Sequence, residues 1–184
     1  MDILNIKKSK LRRELLQLYF SHPEKRYYIR QLERIINQPA AYIRRELMRL
    51  EKEGLFSSEF QGKEKYFQLD QEYYLYKEIK SIINKTIGIE GMLKKILSKS
   101  SGIEEAYIFG SYAKDKLSPE SDIDILIIGS ASVADTRGKI YKLQEKFGRE
   151  FNIIDIDKKE FLKKLKNKDD FLIEVMKGKK IKLV

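Results

Sequence analysis

Tyr107-Ile-Phe-Gly-Ser-Tyr-Ala-Lys-Asp-Lys-Leu-Ser-Pro-Glu-Ser-Asp-Ile-Asp-Ile-Leu-Ile-Ile128 reads as a strand, a glycine turn, a short helix, a loop and a second strand. Asp122 and Asp124 stand two apart at the head of a β-branched run. Side chains alternate along a strand, so both carboxylates leave on one face, about 7 Å apart at their Cα atoms. Two anions that close repel each other unless a cation lies between them. A hard divalent ion, Mg2+ or Mn2+, takes oxygen ligands and suits that pair. Upstream, Gly110-Ser111 ends one strand and opens a helical turn. Its free backbone N–H groups, the helix dipole and the Ser111 hydroxyl are suited to a phosphate. Metal acids beside a phosphate cradle point to a nucleoside triphosphate, ATP or another, carried with its metal.

The spacing of Gly110, Ser111, Ser121, Asp122 and Asp124, with apolar strands at Phe109 and Ile125 to Ile128, resembles the signature of the DNA polymerase β-like nucleotidyltransferase superfamily. The resemblance covers about half the chain, from about residue 100 to the end. It implies that Asp122 and Asp124 are catalytic and bind metal, and that Gly110, Ser111 and Ser121 bind the nucleotide. It further implies transfer of a nucleoside monophosphate to an acceptor hydroxyl, with two metals activating the attacking oxygen and stabilising the leaving one. Active members of the superfamily usually carry a third carboxylate on the next strand, and alignment puts Asn152 there. An amide is a weak metal ligand and no base. If Asn152 faces the site, Asp155 and Asp157 face away by parity; a shifted register or bulge would make Asp155 the third catalytic acid instead. Asp115 stands where the superfamily often has glycine. Aspartate tolerates left-handed backbone, and its charge near a phosphate calls for Lys114 or Lys116 to offset it.

At 184 residues with 42% hydrophobic content, the chain is long enough for one medium domain or two small ones. The absence of cysteine excludes disulfides and thiolate metal sites. Met1-Asp-Ile-Leu-Asn-Ile-Lys-Lys lacks the apolar run of a signal peptide, and no stretch approaches a membrane span, which leads to the expectation of a cytoplasmic protein that meets no membrane. The net charge of +10 fits either a Lys/Glu-rich surface or a polyanionic partner.

Position decides between those readings. Ser9 caps a first helix with Leu11, Leu15, Leu18 and Tyr19 inward, ended by His22-Pro23, with His22 a surface residue. A second helix starts at about Tyr28, and a third runs from about Pro39 to Glu53 with Ile43, Leu47 and Leu50 on its apolar stripe. Arg44, Arg45 and Arg49 fall on the flank and the opposite side. Strands at about 55–60 and 65–69 meet across Gln61-Gly62-Lys63 as a hairpin. Helix, helix, turn, basic helix, hairpin resembles bacterial and archaeal winged helix-turn-helix regulators. That likeness implies binding to double-stranded DNA, with Arg44, Arg45, Arg49, Lys63 and Lys65 as contacts, and a homodimer reaching two half-sites.

The fold class expected is α/β (α+β): a winged helix-turn-helix at residues 1–70, a helical linker at 71–99, and a mixed-sheet nucleotidyltransferase fold at 100–184 with helices on one side of its sheet. The linker pattern breaks at Gly88 and Gly91, and one of its helices should cover the transferase sheet. Three functions are compatible with this plan. The leading one is a DNA-binding protein with a Mg-dependent nucleotidyltransferase domain. The second is a regulator whose transferase-like half is inactive and serves sensing or dimerisation, supported by Asn152. The third is an antitoxin-like enzyme that adenylylates an acceptor protein.

Overall fold

A computed structural model describes residues 9–116, 118, 121–130 and 134–184. The N-terminal stretch Met1 to Lys8, read above for a signal peptide, lies outside the described residues. The chain divides into two compact units, Met1–Gly88 and Ile89–Val184. Among the described residues no helix is long and apolar enough to cross a membrane.

The first unit runs α1 (Lys10–Ser21), β1 (Tyr27–Tyr28), α2 (Ile29–Ile36), α3 (Ala40–Lys52), β2 (Phe56–Gln61), β3 (Glu64–Leu69) and α4 (Tyr76–Thr86). Ser9 caps α1, its hydroxyl accepting from the Arg12 amide at 3.1 Å. Leu15, Leu16 and Tyr19 from α1, Leu32 from α2 and Ile43, Leu47 and Leu50 from α3 share one core with Phe56 and Phe67 of the hairpin. β1 has no signature in a two-residue run; Tyr27 and Tyr28 pair with Phe67 and Tyr66 and so complete a sheet of order β1-β3-β2. His22 is buried at 5% exposure, not a surface residue, because it terminates α1 by donating its amide to Leu18 and Tyr19 carbonyls. A buried Arg12–Glu46 ion pair joins α1 to α3.

The residues expected to form a linker are shared between the units. Tyr76, Ile79 and Ile83 of α4 lie in the first core. Ile89, Leu93 and Leu97 of α5 (Ile89–Leu97) lie in the core of the second unit, on one face of its sheet.

The second unit continues with β4 (Ile103–Phe109), α6 (Gly110–Ala113), β5 (Ile123–Gly129), α7 (Ala134–Phe147), β6 (Phe151–Ile156), α8 (Lys158–Lys166), α9 (Asp170–Lys177) and β7 (Ile181–Lys182). Helical periodicity in the sequence reaches back to Ala131, and residues 131–133 lie outside the described residues. The sheet order is β6-β5-β4-β7, with β5 parallel to β6 and β4 antiparallel to both β5 and β7. Ile123, Ile125 and Ile127 face α5 and α7; Leu126 and Ile128 face the opposite way, toward Phe161 of α8 and Leu172 of α9. Helices therefore cover both faces, which corrects the one-sided arrangement expected. The cause is the unbroken apolar run of β5, a pattern that only a strand buried on both sides retains. The helical stretch that follows β6 is likewise two helices and not one. Lys168 adopts a left-handed φ of 58°, and Asp169 then caps α9 through the Leu172 amide at 3.0 Å.

Lys158 at the start of α8 is tied to the sheet by Glu105, whose carboxylate accepts from Lys158 Nζ at 2.6 Å and from the Tyr107 hydroxyl at 2.6 Å. The Lys158 bond first, then the Tyr107 bond, hold the Glu105 carboxyl below its ordinary value of 4.5. A carboxyl lowered on folding stabilises the fold above its ordinary pKa, and that contribution disappears as pH falls through the lowered value. Thermal melts of wild type and Glu105→Gln should differ at pH 7 by about 1 kcal/mol, the size of a partly exposed ion pair. The gap should close as the pH drops below 4.5. A gap that stays constant into acid would remove the ionised carboxylate from the account.

Candidate functional site

The site is assembled where β4 ends and β5 begins. Phe109 pairs with Asp124 across the antiparallel ladder, so the turn after β4 lies beside the head of β5. Gly110 adopts φ +71°, and a Cβ built there would overlap Asp124 Oδ2. The glycine is thus needed twice: for a left-handed backbone and for the space the carboxylate fills. Asp124 shares the strand face of Leu126 and Ile128. Asp122 immediately precedes β5 and is exposed, and strand alternation assigns it the same face. The structure brings Asp124 against the Gly110-Ser111 turn.

The turn is built by backbone bonds. The Lys114 amide donates to the Gly110 carbonyl at 3.2 Å and the Lys116 amide to the Ser111 carbonyl at 2.9 Å. Asp115 takes a left-handed φ of 57°, which is why aspartate serves where glycine is usual. The Ser111 hydroxyl makes no hydrogen bond among the described residues. Behind the turn, Tyr112 donates to Glu90 of α5 at 3.4 Å. Burial, and then the neighbouring Glu90 charge, push the Tyr112 phenol well above its ordinary value, so it stays a neutral donor.

Ser121 serves the loop itself. Its hydroxyl accepts from the Ser118 amide at 3.0 Å and lies 2.6 Å from the Ser118 hydroxyl. Arg149, buried at 4% exposure, donates Nη1 to the Ser118 carbonyl at 2.6 Å and to the Ser121 carbonyl at 3.5 Å. It is the principal positioning residue missed by sequence reading: an arginine in a Gly-Arg-Glu turn carries no sign that folding will bury it. It holds the segment that delivers Asp122.

On the third strand, Asp124 is in register with Asn152, and the Asn152 amide donates to Asp124 Oδ1 at 3.1 Å. Asp155 is in register with Ile127 and forms an ion pair with Arg137 of α7, on the far face of the sheet. The pairing is regular, so no bulge brings Asp155 to Asp124, and the expectation of Asp155 as a third catalytic acid is corrected on parity. Asp157 caps α8 through the Lys159 amide at 2.8 Å.

Among the described residues, no group of three or more His, Cys, Asp or Glu is placed to hold a metal. The donor set is two carboxylates with an amide alongside. That set fits a Mg2+ that arrives with phosphate oxygens and keeps water ligands, since such sites need only one or two protein carboxylates.

In the first unit, Arg44, Arg45 and Arg49 line an open groove of about 640 Å3 along α3 with Ala41, Met48 and Lys52. The Arg45 guanidinium lies 5.3 Å from the Tyr42 ring, and Arg49 is 3.7 Å from Glu46. Lys63 lines an adjoining cavity between α3 and the hairpin. Lys65 lines it too, but donates to Glu51 at 3.1 Å and lies 4.9 Å from the Phe67 ring. Of the five basic residues named from sequence, Lys65 and Arg49 have carboxylate partners among the described residues, Glu51 and Glu46, that a ligand would have to displace.

A family profile described as Nucleotidyltransferase domain matches residues 89–182 of the 184. No curated protein gives a significant match. Among solved structures, a protein from Sulfolobus solfataricus assigned provisionally as a nucleotidyltransferase is 24% identical, matching 50% of this chain and 73% of its own with a TM-score of 0.29.

Proposed function

Because the chain belongs to the nucleotidyltransferase domain family, we propose that its second unit transfers a nucleoside monophosphate from a nucleoside triphosphate, and that its first unit is a winged helix that binds double-stranded DNA. The observation that carries the transfer reading is the seating of the Asp124 carboxylate against Gly110, which sets an acid directly beside a turn with open amides and an uncommitted serine hydroxyl. Asp122 and Asp124 would hold Mg2+ or Mn2+, which when bound neutralises phosphate charge and acidifies the attacking hydroxyl. Gly110 and Ser111 hold the β- and γ-phosphates. Ser121 acts through the loop it closes. The acceptor oxygen bonds to the α-phosphorus as the bond to the bridging oxygen breaks, and pyrophosphate leaves. Asn152 accepts no proton, so the acceptor's proton passes to water.

One observation favours a second reading, in which the unit binds nucleotide without turning it over and so senses it. The Asn152 amide already occupies an Asp124 oxygen, the place where an active relative would present a third acid.

For the first unit, support comes from three exposed arginines on the solvent side of α3 beside Lys63, in an order of elements that matches a winged helix. A helix fits the major groove and arginine reads guanine edges. Two copies would place two α3 helices on two half-sites.

Labelled ATP with Mg2+, compared between wild type and Asp124→Ala, tests the transfer reading. Label transfer should fall by at least a hundredfold in the variant. No transfer by either protein, with nucleotide binding retained, would leave the sensing reading. Duplex binding should weaken by roughly 1–3 kcal/mol for Arg45→Ala or Arg49→Ala if either reads a base. Unchanged affinity would remove α3 as a DNA reader.

A further inference from the structure

The inward side of the β2–β3 hairpin runs on past the core it helps to close. Phe56, Ser58 and Phe60 share one side of β2 by alternation, and across the ladder Ser58 meets Phe67 and Phe60 meets Lys65. Phe56 and Phe67 are buried, yet Phe60 on that same side is 74% exposed. It stands over a cavity of about 460 Å3 between the hairpin, α3 and the start of α2, lined also by Ile29, Met48 and Phe67. That volume falls within the roughly 300–1,000 Å3 of small-molecule sites, which combine apolar walls with a few placed polar groups.

The polar groups lie at the rim. Arg30, Arg44, Lys63, Glu64 and Lys65 all line the cavity. Two of these cations are engaged: Arg30 by Glu33 at 2.8 Å and by the charge of Glu64, and Lys65 by Glu51 at 3.1 Å. Arg44 and Lys63 are exposed and have no ion pair among the described residues. Arg44 and Met48 stand one turn apart on α3, so an uncommitted cation adjoins an apolar side chain. A DNA phosphate is held by cations, hydroxyls and amides and makes no use of Ile29, Phe60 and Phe67. An apolar body carrying one anionic group uses both parts of the lining.

We propose that this cavity binds an amphipathic organic anion, an aromatic body bearing a single acidic group, with the ring against Met48, Phe60 and Phe67 and the acidic group on Arg44 and Lys63. Binding itself requires no other functional reading. Its consequence rests on the DNA reading of the first unit: Arg44 and Lys63 cannot serve the anion and a duplex at once. The anion therefore releases DNA, and DNA expels the anion to the same degree. The first unit is on this account a DNA reader switched by a small acid.

The test uses the full chain and two fluorescent probes that share one aromatic body, anilinonaphthalenesulfonate and its uncharged parent phenylnaphthylamine, titrated without DNA, nucleotide or metal. Wild type should bind the sulfonate about tenfold or more tighter than the neutral probe, the size of one charge-assisted contact. Arg44→Gln/Lys63→Gln should abolish that difference and leave the neutral probe unchanged. Phe60→Ala should weaken both probes by about tenfold, the loss of one aromatic wall. Its duplex affinity should hold, since Phe60 is not among the proposed DNA contacts. Rising sulfonate should weaken duplex binding by wild type, and about tenfold more of it should be needed for Phe60→Ala. The proposal is overturned if both variants bind both probes like wild type, or if the charge makes no difference to wild type. It is equally overturned if Phe60→Ala loses duplex and probe together, which would make the cavity part of the DNA interface. Probe and duplex bound at the same time overturn the switch. Failure of wild type to bind duplex counts against the DNA reading alone, since probe binding is measured without it.

Discussion

Asn152→Asp is expected to raise nucleotidyl transfer by about 10²- to 10⁴-fold, the usual contribution of a positioned general base. Asn152 is in register with Asp124 and its amide reaches Asp124 Oδ1 at 3.1 Å. The substitution changes one atom group and almost no volume, so the ladder between β5 and β6 is retained. It replaces a donor with an acceptor that can take the attacking hydroxyl's proton and add a third oxygen donor for metal. It also sets a second anion against Asp124. Without a divalent ion those like charges disfavour joint ionisation, so the variant should depend on Mg2+ more steeply than wild type. Steady-state incorporation of labelled nucleotide across a metal titration measures both effects. A variant no faster than wild type at saturating Mg2+ would mean that the third acid is not what the unit lacks. The sensing reading would then gain at the expense of transfer.

Gly110→Ala should lower transfer at least a hundredfold, because a displacement of about 1 Å at a reacting group suffices for that loss. Two costs combine at this position. A left-handed backbone costs an L-residue roughly 1–2 kcal/mol, and the new methyl would occupy the place of Asp124 Oδ2. The stability loss should therefore be small beside the loss of activity. Circular dichroism melts and transfer assays on the same preparation separate the two. A variant that keeps full activity would show that Asp124 does not work from its seat against Gly110. Gly62, which also has positive φ but open space around it, is the natural control: Gly62→Ala carries the backbone cost without displacing a carboxylate.

The legible parts of this molecule were those written in local pattern. The Gly-Ser turn, the acid pair and the β5 run were readable because strand alternation and glycine geometry act over a few residues. The superfamily resemblance placed Asn152 beside Asp124, strand parity then turned Asp155 away, and the regular β5–β6 register agrees with both. The left-handed Asp115 was equally a local inference. What could not be read was anything set by partners distant in sequence. Arg149 gains its role from carbonyls about thirty residues earlier. Phe171 acquires a place beside Phe109 only because α8 ends at Lys166 and the left-handed Lys168 starts a separate helix, α9, that packs on the sheet. The two-residue strand β1 exists only because β3 is there to pair with it.

The amino-acid sequence by itself determined which residues are the candidates for chemistry and on which side of a strand each acid falls, since periodicity is a property of the backbone. Tertiary structure alone decided what each of those groups touches. It set Asp124 over a bare glycine, paired Asp155 with Arg137, buried Arg149 under the loop and covered both faces of the sheet. The reason is that contacts between residues far apart in the chain follow from burying β5 on two sides at once, a demand that several elements satisfy together and none encodes alone.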